Sequence, residues 1–242
     1  IDADTAMGTM LKYGSEGSKY FIDNYVLPKD IAAAHINGDI HIHDKDFYML
    51  TETCCQIDLI KLFHDGFSTG HGNLREPNSI QSYSALACIA IQANQNEMHG
   101  GQSVPNFDYA MADGVRKTYK KKYRHLMNQY LQIRFGMTEE ESKEAIDAYM
   151  EQLKAPLTMG NADVIAEEIR QMQMPNGLSV EQMEELHRYV QKEALTMTDR
   201  ETYQAMEAFV HNLNTMNSRA GAQVPFSSIN YGTDTSPEAR MV

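Results

Sequence analysis

Residues 39–58 read DIHIHDKDFYMLTETCCQID, the most informative pattern in the chain. The stretch places two histidines and four aspartates around a short apolar run, with two adjacent cysteines near its end. The bulky and β-branched residues of 47–53 predict a short strand, with the thiols of Cys54 and Cys55 at its far end. Apolar residues at helical spacing follow over 57–63. A thiol presented where a strand passes into a helix is typical of a radical or nucleophilic site.

The charge balance limits the partners that the whole surface can bind. Lysine and arginine total 21 against 33 aspartate and glutamate residues, a net charge of −12. This excess predicts no general binding of nucleic acid or anionic membrane, so any phosphate site has to be local. No apolar run is long enough to span a bilayer, residues 1–10 lack the pattern of a signal peptide, and the three cysteines are too clustered for a disulfide framework. These features predict a cytoplasmic protein with free thiols.

Residues 77–96 contain no charged side chain. Ser79 can cap a helix here, and one stripe of that helix is polar but uncharged: Ser84, Cys88, Gln92, Gln95, Asn96 and His99. Buried amides need hydrogen-bond partners, so the stripe indicates either a ligand site or a polar network that joins neighbouring helices. We interpret the next segment, 98–108 (MHGGQSVPNFD), as a break in the helix.

A basic run follows in an otherwise acidic chain. Residues 115–124 read VRKTYKKKYR and include six cations: Arg116, Lys117, Lys120, Lys121, Lys122 and Arg124. A solvated helix face is the usual explanation of such a run. A local anion site for a nucleotide triphosphate is the alternative.

The remaining segments predict core helices and one further strand. Helical periodicity dominates 139–213, where Ser179 and Gln182 predict a capping box and Asp199 is expected to cap a separate helix. Residues 220–232 are uncharged. The alternation over 224–229 predicts a buried strand that contains Ser227 and Ser228.

Five separated segments have a recognisable character: HIHDKDFY, TCCQIDL, GFSTGHG, SYSALACIAIQANQNEMHGGQSVPNFD and HNLNTMNSRAGAQVPFSSINYGTD. Together they resemble the class III anaerobic ribonucleoside-triphosphate reductases, which are glycyl-radical enzymes. Each one alone is weak evidence, but their number and order make the resemblance specific over nearly the whole chain. Residues 137–198 add little beyond helical character.

The resemblance implies an α/β fold, predominantly helical here, that forms part of a ten-stranded α/β barrel with helices outside. It further implies that residues 1–242 are the N-terminal portion of that barrel domain, with barrel strands near 47–56 and 222–231 and a helical dimer and effector region at about 77–217. The implied reaction converts ribonucleoside triphosphates to deoxyribonucleotides through a glycyl radical and a thiyl cysteine, with formate as reductant. ATP and deoxynucleotides are the implied effectors, and a radical-SAM activating enzyme and a second copy of the chain are the implied partners.

The same resemblance assigns roles to individual residues. Cys54 is expected to deliver hydrogen to C2′ of the ribose, because the family's cysteine stands four residues before an aspartate, as Cys54 stands before Asp58. Only one of two neighbouring strand residues can face the ribose, so Cys55 is the alternative. His43 and Asp44 are expected to orient the substrate or the leaving hydroxyl, although a satisfied core network would use the same residue types.

Two further groups of residues are expected to bind nucleotides. Ser227, Ser228 and Asn230 are expected to donate hydrogen bonds to ribose or phosphate. The resemblance assigns an effector site near the dimer interface to Gln92, Gln95, Lys120 and Lys121.

Three features of the family have no counterpart in this sequence. They are an MGCRT-like loop with the radical cysteine, an RxxGY-like glycyl loop, and a cysteine quartet for zinc, so no metal site is expected here. From their absence we expect a fragment that does not reduce ribonucleotides by itself.

Two other functions fit parts of the sequence. The first is a metal-dependent hydrolase, because HIHDKD is similar to the HxHxDH signature of binuclear zinc enzymes. Lys45 stands where that signature has aspartate and Asp46 where it has histidine, which weakens the match. His41 and His43 on one strand face are still able to share a metal ion. The second is a non-catalytic module for dimerisation and deoxynucleotide sensing.

Overall fold

The computed structural model describes residues 3–48, 51–172, 179–219 and 222–242. The described chain is predominantly helical and contains five short strands. The helices are α1 (Ala6–Phe21, continued by a π-helical turn Ile22–Val26), α2 (Lys29–Asn37), α3 (Leu59–Asp65), α4 (Ile80–Glu97), α5 (Phe107–Phe135), α6 (Glu139–Gln152), α7 (Ala162–Gln171), α8 (Val180–Thr215) and α9 (Pro237–Met241). The strands are β1 (Thr53–Gln56), β2 (Phe67–Ser68), β3 (Asn73–Leu74), β4 (His99–Val104) and β5 (Ser227–Ile229).

The chain divides into two compact units. The sheet unit comprises Ile1–Asp58, Cys88–Pro105 and Val210–Ile229. The helical unit comprises Leu59–Ala87, Asn106–Phe209 and Asn230–Val242. Over the described residues, no helix combines the length and the apolar character needed to cross a membrane.

The sheet unit contains a three-stranded parallel sheet in the order β1-β4-β5. Its register aligns Cys55 with Gln102 and Ser227, and it aligns Gln56 with Ser103 and Ser228. Aligned residues of a parallel sheet share a face. Ser227 and Ser228 lie inside a strand, as the sequence predicts.

The sequence misplaced one strand of this unit and did not predict another. The strand predicted at 47–53 begins only at Thr53, and Lys45–Phe47 form a 3₁₀ turn, while residues 49–50 lie outside the described residues. The helix break predicted at 98–108 is confirmed, because α4 ends at Glu97, but the segment also holds β4, the central strand, which the sequence did not predict. Its sequence HGGQSV has little intrinsic β-propensity, so β4 exists because it has a partner strand on each side.

The helical unit has a core built from α5, α6, α7 and α8. The side chains that fill it include Tyr119, Tyr123, Met127, Ile146, Ile165, Ile169, Met183 and Val190. The predicted capping box at Ser179 is confirmed, because Ser179 N donates to Gln182 Oε1 and Gln182 N donates to Ser179 Oγ. The helix boundary predicted at Asp199 is wrong: α8 continues from Val180 to Thr215, since no glycine or proline interrupts it.

Candidate functional site

A cleft of about 440 Å³ opens on the sheet of the sheet unit. We call it the sheet cleft, and all three strands line it with Cys54, Cys55, Gln56, Gly101, Gln102, Ser103, Phe226, Ser227 and Ser228. Three of the predicted site residues, Cys54, Ser227 and Ser228, therefore line the same cleft. The lining combines thiol, hydroxyl and amide groups with the exposed ring of Phe226, which suits a ligand that has both polar and apolar parts.

Cys54 occupies an irregular position in β1. The pairing advances from Thr53 opposite His99 to Cys55 opposite Gln102, so β4 carries an extra residue and Cys54 lies at a bulge. Its φ of 52° is left-handed, which a side chain with a Cβ adopts only at a cost. Such strain concentrates at functional sites, and the Cys54 side chain is exposed.

The other two thiols are less available. Cys55 is partly buried and its Sγ accepts a hydrogen bond from Asn94 Nδ2 at 2.9 Å. Burial raises the pKa of the Cys88 thiol to about 11, although a hydrogen bond with Asn212 opposes that shift. Cys88 is therefore protonated near neutral pH, and Cys54 is the most accessible thiol of the three.

The two serines of β5 lie at successive sheet positions. Ser228 is exposed and aligns with Ser103 and Gln56, whereas Ser227 is partly buried and aligns with Gln102. Asn230, the third predicted substrate residue, belongs to the helical unit, where its carbonyl oxygen accepts a hydrogen bond from Phe107 N at 3.1 Å.

The carboxylate of Asp44 connects two histidines. Asp44 Oδ2 lies 3.0 Å from His43 Nε2, and Asp44 Oδ1 lies 3.1 Å from His99 Nε2. The ring of Phe47 stacks on that of His99 with centroids 3.9 Å apart. The sequence assigned His99 to the polar stripe of α4, whereas it is the first residue of β4.

The neighbours of Asp44 anchor this segment. Lys45 is buried and its Nζ lies 2.7 Å from both carboxylate oxygens of Asp23. Ser15 Oγ donates to the carboxylate of Asp46 at 2.5 Å, and Ser18 Oγ donates to the Asp46 carbonyl at 2.7 Å. Lys45 and Asp46 therefore hold the segment in position, which leaves the Asp44 carboxylate to the two histidines.

The amides predicted to bind an effector differ in their surroundings. Gln95 is buried, with its Nε2 donating to the Val224 carbonyl at 3.0 Å and its Oε1 accepting from Ser218 Oγ. Gln92 Nε2 is also buried, but it has no hydrogen-bond partner among the described residues. Gln95 thus contributes to an internal network, whereas Gln92 retains an unsatisfied donor.

The basic run of α5 separates into paired and unpaired cations. Four of its six members pair with carboxylates of the helical unit: Arg116 with Asp113, Lys117 with Glu76 and Asp113, Lys122 with Glu201, and Arg124 with Asp147. Lys120 and Lys121 are exposed and form no ion pair within the parts of the chain that the structure describes. They are the two members of the run that remain open to an external anion.

Asp108 is a buried acid that the sequence analysis did not single out. Its Oδ2 accepts hydrogen bonds from the backbone N–H groups of Gly232, Thr233 and Asp234 at 2.8–2.9 Å, and its Oδ1 accepts one from Tyr109. Burial alone would raise the pKa of Asp108, but these four donors outweigh burial and hold the pKa below its usual value. Asp108 therefore anchors the segment that leads to α9.

His41 and His43 do not belong to a group of three or more potential metal ligands among the described residues. Within the ranges that the structure describes, no group of three or more His, Cys, Asp or Glu side chains is arranged to hold a metal ion.

A family model described as anaerobic ribonucleoside-triphosphate reductase matches residues 1–242. The chain belongs to this family. The chain is 23% identical over 227 residues to the anaerobic ribonucleoside-triphosphate reductase of Salmonella typhimurium, which covers 93% of this chain and 24% of the relative. The enzyme of the same name from phage T4 is 24% identical over 227 residues, with 93% and 28% covered. That of Escherichia coli is 30% identical over 106 residues, with 43% and 15% covered.

These matches also give the share of the relatives' length that the chain covers. It spans about a quarter of the length of the two relatives that it matches over 227 residues. The family that the chain matches is a reductase family and not the zinc hydrolase family to which HIHDKD is similar.

Proposed function

We propose that this chain contributes part of the catalytic barrel of an anaerobic ribonucleoside-triphosphate reductase and that the sheet cleft is its share of the substrate site. The observation that carries the proposal is the meeting of an exposed thiol, Cys54, with the hydroxyls of Ser227 and Ser228 in one cleft. A thiol is able to give a hydrogen atom to a ribose carbon, and hydroxyls are able to hold a ribose or phosphate by hydrogen bonds. The three parallel strands would form part of the barrel wall, with α4 on its outer side.

Each residue then has a distinct task. Cys54 delivers hydrogen to C2′, Ser227 and Ser228 bind the ribose or its phosphates, and Asn230 adds a further amide. His43 and Asp44 orient the substrate or the departing hydroxyl. The glycyl radical of the family supplies the oxidant that starts the ribose chemistry, and formate is the proposed reductant. A radical-SAM enzyme generates that radical, and the working protein is a homodimer.

The proposal is tested in the complete reductase under anaerobic conditions. Cys54→Ala should abolish conversion of ribonucleoside to deoxyribonucleoside triphosphate while the electron paramagnetic resonance signal of the glycyl radical persists. Cys55→Ala, its matched control, should keep most of the turnover. An active Cys54→Ala enzyme together with an inactive Cys55→Ala enzyme would reassign the thiol to Cys55.

A second function has its own observation in its favour. Gln92 carries a buried amide donor that lacks a partner among the described residues, and the cations of Lys120 and Lys121 are exposed. Amides and cations of this kind suit the base and the phosphates of a deoxynucleotide. We propose that Gln92 and Gln95 of the sheet unit, and separately Lys120 and Lys121 of the helical unit, serve effector sensing and dimerisation. Titration of the complete enzyme with dATP, dGTP and dTTP tests this, and absence of binding at millimolar nucleotide would reject it.

A further inference from the structure

Two adjacent cysteines lie in β1, and the sheet unit surrounds their sulfur atoms differently. Cys55 Sγ accepts a hydrogen bond from Asn94 of α4 at 2.9 Å, whereas Cys54 is exposed at the bulge. Asn94 belongs to α4, so the Cys55 sulfur is the one that contacts this helix.

The direction of the hydrogen bond to Cys55 is fixed by a chain of amides. Gln102 is buried, and its Nε2 donates to the Ile91 carbonyl at 2.9 Å. Only a nitrogen can donate to that carbonyl, so Gln102 has to present its oxygen to Asn94, whose Nδ2 donates to it at 2.7 Å. The Asn94 amide has two hydrogens, and the second one is directed to Cys55 Sγ.

The space around the Cys54 sulfur depends on the glycine at position 100. A Cβ at Gly100 would lie 3.1 Å from Cys54 Sγ and 3.4 Å from Cys54 N. Gly100 also has a φ of 99°, which favours glycine. Glycine at this position therefore leaves the space that the Cys54 sulfur needs beside the bulge.

We propose that Asn94 and Gln102 are positioning residues that hold the Cys55 sulfur through the hydrogen bond from Asn94, so that Cys54 is the more accessible of the two thiols that line the sheet cleft. Gly100 completes the arrangement by leaving room for the Cys54 sulfur. The inference rests on the proposed function only in taking the cleft as the substrate's site. It adds a reason why the two adjacent thiols differ in reactivity. The side-chain amides of Asn94 and Gln102 form a hydrogen-bonded pair that contacts the Cys55 sulfur and does not contact that of Cys54.

The difference in reactivity is measured by alkylation. The complete reductase is treated anaerobically with limiting N-ethylmaleimide, and fragmentation of the labelled peptide by mass spectrometry assigns the label to Cys54 or Cys55. In the unaltered enzyme Cys54 should react about tenfold faster than Cys55, the factor expected when one hydrogen bond to the sulfur and partial burial protect the slower thiol. Equal rates at the two sulfurs would overturn the proposal.

Asn94→Ala tests the residue that donates to the sulfur. The variant should raise the rate of Cys55 labelling about tenfold and change that of Cys54 less than about twofold. Asn96→Ala is the matched control, because Asn96 is an exposed amide of the same helix that bonds only to the Gln92 carbonyl among the described contacts. An unchanged labelling ratio in Asn94→Ala would reject the role of the amide chain.

A second variant keeps the test decisive if Asn94→Ala does not fold, which circular dichroism reports. Gln102→Met preserves side-chain length but removes the acceptor that orients Asn94, so Cys55 labelling should rise in the same direction. Unchanged labelling in a folded Gln102→Met enzyme would again overturn the proposal. The labelling ratio is measured without turnover. Selective labelling of Cys54 in an enzyme that does not reduce nucleotides would therefore reject the proposed function and keep this inference. An active enzyme that labels both thiols equally rejects this inference alone.

Discussion

Asp44 Oδ1 lies 3.1 Å from His99 Nε2, so a loop residue and the first residue of the central strand share a contact inside the sheet unit. The other oxygen of Asp44 lies 3.0 Å from His43. Asp44 itself has a left-handed φ of 48°. The contact ties the HIHD segment to the strand that runs beside the two cysteines.

Asp44→Asn should weaken this connection. Each imidazole meets a different oxygen of Asp44, and asparagine replaces one of these two oxygens with an NH₂ group and removes the negative charge. We expect the free energy of unfolding to fall by about 1–2 kcal/mol, measured by urea denaturation. Asp39→Asn, an exposed aspartate of the same segment, is the control and should change little. Equal stability of the two variants would show that Asp44 is not shared between the histidines.

Asp108 predicts a pH dependence of stability. Its pKa is lowered in the folded chain by four backbone donors, so its contribution to stability is complete above the unfolded pKa of about 4 and is lost as pH falls through the folded pKa. Asp108→Asn should lower the free energy of unfolding by about 1–3 kcal/mol at pH 7, and the difference from the unaltered protein should shrink as pH falls below about 4.

The control for Asp108 is Asp199→Asn, an exposed aspartate within α8. It should leave the urea midpoint at pH 7 nearly unchanged. A difference between Asp108→Asn and the unaltered protein that stays constant from pH 7 to pH 3 would contradict the assigned role of the carboxylate.

Two glycines should respond in opposite directions to the same substitution. A Cβ at Gly114 would lie 2.8 Å from the ring of Tyr83, whereas a Cβ at Gly17 would meet no atom within 4 Å. Gly114→Ala should therefore destabilise the chain by about 1–3 kcal/mol through overpacking. Gly17→Ala should stabilise α1 by about 0.5–1 kcal/mol. Thermal unfolding measures both, and a stable Gly114→Ala would show that the contact of α4 with α5 readily adjusts.

The double variant Lys120→Gln and Lys121→Gln should weaken effector selection severalfold and leave basal reduction nearly intact. These two cations have no ion pair among the described residues, so their loss removes only an external interaction. The control is Lys122→Gln, because Lys122 pairs with Glu201 at 2.5 Å and its loss should act on stability. If effector selection does not change in the double variant, the basic run is a solvated helix face and not an effector site.

The sequence predicted those parts of the fold that depend on local signals. The capping box of Ser179 and Gln182 and the uncharged helix after Ser79 follow from side chains within one turn of each other. The strand β4 was missed because its residues gain strand geometry from neighbours far away in sequence. The continuous α8 was missed because Asp199 is a capping residue type that here lies inside a helix.

The sequence identified some residues of the candidate site and missed others. Cys54, Ser227 and Ser228 were identified from motifs and lie in one cleft. Asn94 and Gln102 were not selected, because an amide's role depends on which atoms it meets after folding, and the pattern alone left the amide stripe open between a ligand site and an internal network. Gln95 belongs to an internal network, and Gln92 keeps a buried donor with no partner in the described part of the chain.

The central claim is that the Cys54 sulfur faces the ribose. A crystal structure of the complete reductase, determined anaerobically with a ribonucleoside triphosphate bound, measures this directly. We expect Cys54 Sγ within about 4 Å of C2′, in van der Waals contact, with Ser227 or Ser228 bonded to the nucleotide. A ribose bound away from the sheet cleft, or in contact with Cys55 instead, would contradict the account.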